Sequence, residues 1–269
     1  MRIFALCVLL LMVACVKHHE PMPEQVTNPY QARAEGLARS GVAALGREQW
    51  KTARMMFAKS LQAATLADDG RMIALAWYNL GRARAGGGDV QGARLAYQQS
   101  RQQAEKAQDA VNQQRAALAL ALLEHGMPSD GKGGGQEDAL LVVPASFPVD
   151  VHLAAARLAW LRGKFELARK AYSQVLAMAG PDRYGRIYAA RAHLGLARLM
   201  AAESGQDAAT AAHRHLDQAI KLIHRAGEPR LMLQALQLAA DMETDPALRQ
   251  LWQQRAAAVR KALHEVRTE

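Results

Sequence analysis

The feature that most constrains the fold of this chain is an internal repeat with a spacing of 40 residues. The segment 41–60, GVAALGREQWKTARMMFAKS, aligns without a gap with the segment 81–100, GRARAGGGDVQGARLAYQQS. The matching residues at this offset are Gly41 and Gly81, Ala53 and Ala93, Arg54 and Arg94, Phe57 and Tyr97, Ser60 and Ser100, and Asp69 and Asp109. Self-similarity at a fixed period of this size is typical of a solenoid, in which consecutive supersecondary units stack on one another.

The chemistry of the spacing predicts the structure of one unit. Gly81 allows a second helix to approach closely, while Gly88 and Asp89 interrupt the first helix and Asp89 can cap the second. Ala93 is small at the place where the two helices cross, and Tyr97 fills the space beyond them. Each unit is therefore predicted to be a helix, a tight turn and an antiparallel helix.

Composition supports an all-α fold. Aromatic residues make up 5% of the 269-residue chain, while Ala, Leu, Gln and Arg, which lose little conformational freedom in a helix, are abundant. Long runs with the period of two that marks a half-buried strand are nearly absent. Residues 139–143, ALLVV, are the one stretch that could form a strand.

Further copies of the pattern set the expected domain organisation. Residues 163–176 keep the Gly, Ala, Arg and Tyr spacing of the second half of the unit, and residues 194–195 repeat the Leu-Gly of residues 80–81. We therefore predict repeats over residues 30–125, and further repeats with a capping helix over 149–265. The intervening residues 126–148 are rich in Gly and Pro, which predicts a loop or a degenerate repeat at which the solenoid bends.

The unit resembles the tetratricopeptide repeat family. The residues that match the family's signature positions are Trp77, Leu80, Gly81, Gly88, Ala93 and Tyr97. The period of 40 is longer than the family's usual period of about 34, and Arg84 stands where the family usually has an aromatic residue. The resemblance implies an α-solenoid of antiparallel helix pairs, in which the first helix of each unit lines a concave groove.

The same resemblance implies which side chains face a partner. Carried over position by position, the groove residues are Arg39, Tyr78, Asn79, Arg82, Arg157 and Trp160. Arg82 and Arg157 hold the same position in their units, and a guanidinium fork suits a carboxylate or phosphate. Aromatic side chains beside them suit a peptide anchor. The plainer alternative is that these arginines only solvate the surface.

The N-terminus predicts an export signal and a lipid anchor. Residues 3–14 form an apolar run that is too short to span a bilayer, which needs roughly 20 residues. Residues 1–14 are therefore predicted to be a signal peptide. The sequence MVAC at 12–15 resembles the bacterial lipobox, which implies lipidation, such as with palmitate, at Cys15. Residues 15–29 are predicted to be a tether, and Val16 after the cysteine implies sorting to the periplasmic face of the outer membrane.

The sequence favours a binding protein over an enzyme. It has no G-x-S-x-G, no phosphate-binding loop and no paired-His zinc motif, so we expect neither catalysis nor a cofactor or metal. The formal charge of +9 is spread along the chain, which is typical of a solvated basic surface. The alternative is affinity for an anionic partner such as an acidic peptide, phosphate or a membrane surface, while no motif supports nucleic-acid binding. We predict a periplasmic scaffold in envelope, pilus or secretion assembly. A regulatory subunit of a cell-wall enzyme, or a lipoprotein that binds a small molecule or glycan, remains the alternative.

Overall fold

The computed structural model describes residues 28–125, 138–203 and 205–268. In these ranges the chain forms eleven α-helices, one 3-10 helix and no strand, which confirms the predicted all-α fold. The α-helices are α1 Pro29–Gly46, α2 Trp50–Leu66, α3 Gly70–Gly86, α4 Val90–Lys106, α5 Ala110–His125, α6 Val149–Leu161, α7 Phe165–Met178, α8 Arg183–Ala201, α9 Gln206–Ala226, α10 Pro229–Met242 and α11 Pro246–Thr268. The 3-10 helix is Asp138–Leu141.

The helices pack as consecutive hairpins. The pairs are α1 with α2, α3 with α4, α6 with α7, α8 with α9, and α10 with α11. Each pair also contacts the helix that follows it along the chain, and α5 lies between the α3–α4 and α6–α7 pairs. Packing between sequence neighbours, with little contact between distant helices, is the defining property of a solenoid. The predicted α-solenoid of helix pairs is therefore confirmed.

The predicted close approach within each unit is present at both copies of its glycine. A Cβ atom added at Gly81 would lie 2.6 Å from the ring of Tyr97, and one added at Gly41 would lie 2.5 Å from the ring of Phe57. Ala93 is fully buried. The small residue on one helix and the aromatic ring on the other therefore fit together without space for a methyl group.

Aspartate side chains cap five of the described helices, and two of these residues, Asp69 and Asp109, stand at the predicted spacing of 40. The Asp89 carboxylate accepts a hydrogen bond from the Gly92 amide at 2.9 Å, as the sequence predicts. The carboxylates of Asp69 and Asp109 cap α3 and α5 in the same way at 3.0 Å. Arg84 stands where the tetratricopeptide family usually has an aromatic residue. Its guanidinium donates a hydrogen bond across the turn between α3 and α4 to the Gly92 carbonyl, at 3.0 Å.

A buried serine ties each of the first two hairpins together. The Ser60 hydroxyl donates to the Ala34 carbonyl, and the Ser100 hydroxyl donates to the Ala74 carbonyl, both at 2.8 Å. Since both hydroxyls are buried, each needs a partner. The identical pair at an offset of 40 shows that the repeat extends to polar contacts inside the unit.

The third hairpin lacks a second α-helix. In its place the 3-10 helix packs against α5 and α6, and Leu141 is buried in the same cluster as Leu118 and Val151. The Gln114 side chain donates to the Leu140 carbonyl at 2.8 Å. Residues 139–143 therefore do not form the strand that their composition allowed.

Several features predicted from the sequence lie outside the described residues. The predicted signal at 1–14, Cys15, the tether as far as residue 27, and the Gly-rich residues 126–137 all fall there. Of the helices that the structure does describe, none has the length and hydropathy needed to cross a bilayer.

Candidate binding cavity on the concave face

A cavity opens where the first helices of successive pairs converge. It has a volume of about 480 Å³ and lies between α6, α8 and α10. The lining side chains from α6 are Leu153, Arg157, Trp160 and Leu161; those from α8 are Arg191, Leu194 and Arg198; and those from α10 and α7 are Leu231, Gln234 and Tyr172. The volume lies within the range of pockets that hold a drug-sized ligand.

Three arginines line this cavity without a carboxylate partner. In the described part of the chain, no ion pair joins Arg157, Arg191 or Arg198 to a carboxylate. Arg191 reaches solvent but is enclosed by protein on the concave side. Burial therefore lowers its pKa, and the charges of Arg82 and Arg157 lower it further, while Tyr188 and Glu228 act in the opposite direction. The cavity thus holds more positive charge than its own acidic groups neutralise.

The α3 residues face the same interior from the other side. The Arg82 guanidinium lies 5.8 Å from the centre of the Tyr78 ring, and its Nη1 donates to the Asn79 side-chain oxygen at 3.2 Å. Burial raises the pKa of Tyr78, and the charge of Arg82 opposes that rise. Since Asn79 is buried and bonded in this way, it positions Arg82 rather than offering a free group to a ligand.

The acidic residue nearest these side chains is already neutralised. Asp150 on α6 receives two hydrogen bonds from Arg115 on α5, at 2.6 Å and 3.0 Å. Arg115 also donates to Asn112 at 2.8 Å. Burial alone would lower the pKa of Arg115, but the hydrogen bond and charge of Asp150 raise it above its usual value. The pair holds α5 against α6 and occupies the Asp150 carboxylate.

The structure brings together most of the predicted groove residues but not all of them. Arg157 and Trp160 line the cavity, and Tyr78 and Arg82 lie within electrostatic reach of its α8 wall. Asn79 is buried behind them. Arg39 is exposed on α1, pairs with Glu35 of its own helix at 3.6 Å, and is not among the residues that line this cavity.

Sequence reasoning missed Arg191, Arg115 and Asp150. A local signal was present for Arg115, since residues 112–115 repeat the Asn-x-x-Arg of residues 79–82, and both arginines donate to their asparagine. No comparable signal marked Arg191, because its place in the cavity depends on how α8 lies against α3 and α6.

A pair of histidines joins α8 to α9. The Nδ1 atoms of His193 and His215 lie 2.8 Å apart, a hydrogen-bond distance that needs one proton between the two rings. The two histidines are 22 residues apart on successive helices, so no local sequence pattern predicts their contact.

The polar groups that line the cavity are guanidinium, phenol, indole and amide, which donate hydrogen bonds or stack. Within the described ranges, no group of three or more His, Cys, Asp or Glu residues could hold a metal ion. The arrangement suits an anionic ligand with apolar portions.

No protein-family model matches the sequence, and no curated protein matches it significantly.

Proposed function

We propose that this chain is a tetratricopeptide-like scaffold that holds an acidic segment of a partner protein in its concave cavity. The observation that carries the proposal is that Arg157 and Arg191 line the cavity with no ion pair to a carboxylate among the described residues. Arg82 adds a further positive charge from the facing helix.

The energetics favour an anionic ligand. A charged group enclosed by protein loses part of its hydration, and that loss is offset when an opposite charge with good geometry arrives. A carboxylate can accept two hydrogen bonds from one guanidinium fork, which gives direction as well as attraction. Trp160 and Leu231 line the same cavity and provide apolar surface for the neighbouring side chains of such a segment.

The proposed location follows from the N-terminal sequence. We propose that the signal at residues 1–14 is removed and that Cys15 is lipidated. The lipid then anchors the solenoid at the periplasmic face of the outer membrane. A scaffold held there by a lipid, with a cavity for an acidic segment, suits the assembly of an envelope, pilus or secretion complex.

The test is direct binding of an acidic probe. A fluorescein-labelled, glutamate-rich peptide with a free C-terminus is titrated with the full chain, and fluorescence anisotropy gives Kd. We expect Arg157→Gln together with Arg191→Gln to weaken binding by tenfold or more, which corresponds to a loss of about 1.4 kcal/mol or more. Added salt should weaken binding by the wild type, because partly exposed charge pairs are screened.

The matched control is Arg54→Gln together with Arg101→Gln. Both are exposed arginines on the second helix of a pair, α2 and α4, and their substitution removes the same two charges away from the cavity. If this control weakens binding as much as the cavity substitutions do, the probe responds to net charge alone. If the cavity double substitution leaves Kd unchanged, the cavity is not the binding site.

A further inference from the structure

An ion pair joins the two ends of the solenoid. Glu48, in the turn between α1 and α2, lies 3.0 Å from the Arg230 guanidinium in the first turn of α10. The same Nη1 atom of Arg230 lies 3.5 Å from the Gly46 carbonyl, across 184 residues of sequence. Both charged side chains are 32% exposed. The chain therefore curves far enough for its first turn to touch its last hairpin.

Side chains, rather than packed helices, make this junction. No helix of the first pair packs extensively against α10 or α11. The two turns instead leave a crevice of about 550 Å³ between them, whose walls include Arg47, Glu48, Glu228 and Arg230. A junction with an open crevice and one partly exposed ion pair can separate without disturbing a hydrophobic core.

The turn at Glu48 has the same backbone conformation as the other tight turns of the solenoid. Glu48 has φ 54°, in the left-handed region that favours glycine. The corresponding turns of the second and fourth hairpins have glycine there, at Gly88 with φ 83° and Gly163 with φ 70°. Asp68 with φ 52° and Gln108 with φ 51° adopt the same conformation in the turns between hairpins, so the backbone by itself assigns no role to the Glu48 side chain.

We propose that Glu48 and Arg230 form a clasp that closes the solenoid into a ring and controls how widely its concave face opens. The α3 and α8 side chains lie within electrostatic reach of each other across the interior. With the clasp closed, the cavity of about 480 Å³ has room for a few residues of an extended chain and not for a folded domain. This role rests on the proposed function, since a ring matters only if the interior binds a partner.

Hydrogen exchange on the full chain, with no ligand present, tests the clasp separately from the binding function. In Arg230→Gln we expect the amides of residues 47–49 to exchange about two- to fivefold faster, the range that a partly exposed ion pair gives. In Glu48→Gly we expect the first turn of α10 to exchange faster. This second variant also introduces the residue found at Gly88 and Gly163, so the α1–α2 hairpin should gain stability while the distant helix loses protection.

Two further variants make the outcome decisive. The charge exchange Glu48→Arg with Arg230→Glu should restore the slow exchange at both ends. Arg225→Gln, an exposed arginine in the last turn of α9, should leave residues 47–49 unchanged. The proposal is overturned if Arg230→Gln leaves the exchange of residues 47–49 at the wild-type rate, or if the exchanged pair behaves like the single variants.

Discussion

Replacing Gly81 by alanine tests the packing on which the repeat depends. The new Cβ would lie 2.6 Å from two ring atoms of Tyr97, while ordinary contacts begin at 3.4 Å, so the ring or the helix must move by roughly 0.8 Å. The ring is 5% exposed and has little freedom to move. Overpacking of this kind costs about 1–3 kcal/mol. Alanine itself favours the helix by about 0.5–1 kcal/mol, so the net loss should be about 1–2 kcal/mol.

The matched control is Gly36→Ala in α1. A Cβ added there meets only the end of the Arg39 side chain, at 3.9 Å. This variant should therefore gain about 0.5–1 kcal/mol from helix propensity without any clash. Urea unfolding followed by circular dichroism at neutral pH compares the two variants, which should differ by about 2 kcal/mol.

A second substitution identifies the partner of the clash. In a double-mutant cycle, Tyr97→Leu should cost less in the Gly81→Ala background than in the wild type, because the smaller side chain makes room for the methyl group. If Gly81→Ala is as stable as Gly36→Ala, or if the two changes are simply additive, the contact between Gly81 and Tyr97 does not limit the packing of the unit.

Three further predictions address the anchor, the polar contacts and the histidine pair. Cys15→Ser should abolish incorporation of labelled palmitate, and unchanged labelling would disprove the lipid anchor. Ser100→Ala removes the buried hydrogen bond to the Ala74 carbonyl and should cost about 1 kcal/mol in urea unfolding; a neutral result would contradict that role. Burial, together with the charge of His215, lowers the pKa of His193 from 6.5 to about 4. The unfolded chain therefore binds more protons at that site, and stability should fall as the pH drops from about 6.5 toward 4. After allowance for solvent screening, the loss should be on the order of 1–2 kcal/mol. His193→Gln should lose less stability than the wild type between pH 7 and pH 4.5, and equal losses would show that other groups account for the acid sensitivity.

The local features of the fold could be predicted because each depends on residues close in sequence. The Asp89 cap bonds an amide three residues away, and Tyr97 meets Gly81 sixteen residues earlier in the same hairpin. Contacts of this range recur with the repeat, so the periodic pattern carries them. The all-α class and the helix pairs follow from that pattern without knowledge of how the pairs are arranged.

The candidate site could be predicted only in part. Arg157 and Trp160 were found because they lie on the first helix of a unit, and the structure places them in the cavity. Asn79 also lies on the first helix of its unit, but its side chain is buried. Its side-chain oxygen already accepts a hydrogen bond from Arg82. Position in the repeat therefore gives the helix face, while local hydrogen bonds decide whether the side chain is free.

The sequence by itself determined the unit: its helix, turn and helix, its caps, and its Gly–aromatic and serine contacts. Only the tertiary structure decided what the units surround. The approach of Arg191 to Arg157, the meeting of His193 with His215, and the clasp between Glu48 and Arg230 all depend on rotations between successive hairpins. Each rotation is small and is set by side-chain packing between pairs, and the rotations accumulate along the solenoid. For that reason residues 184 positions apart meet without leaving any periodic trace in the sequence.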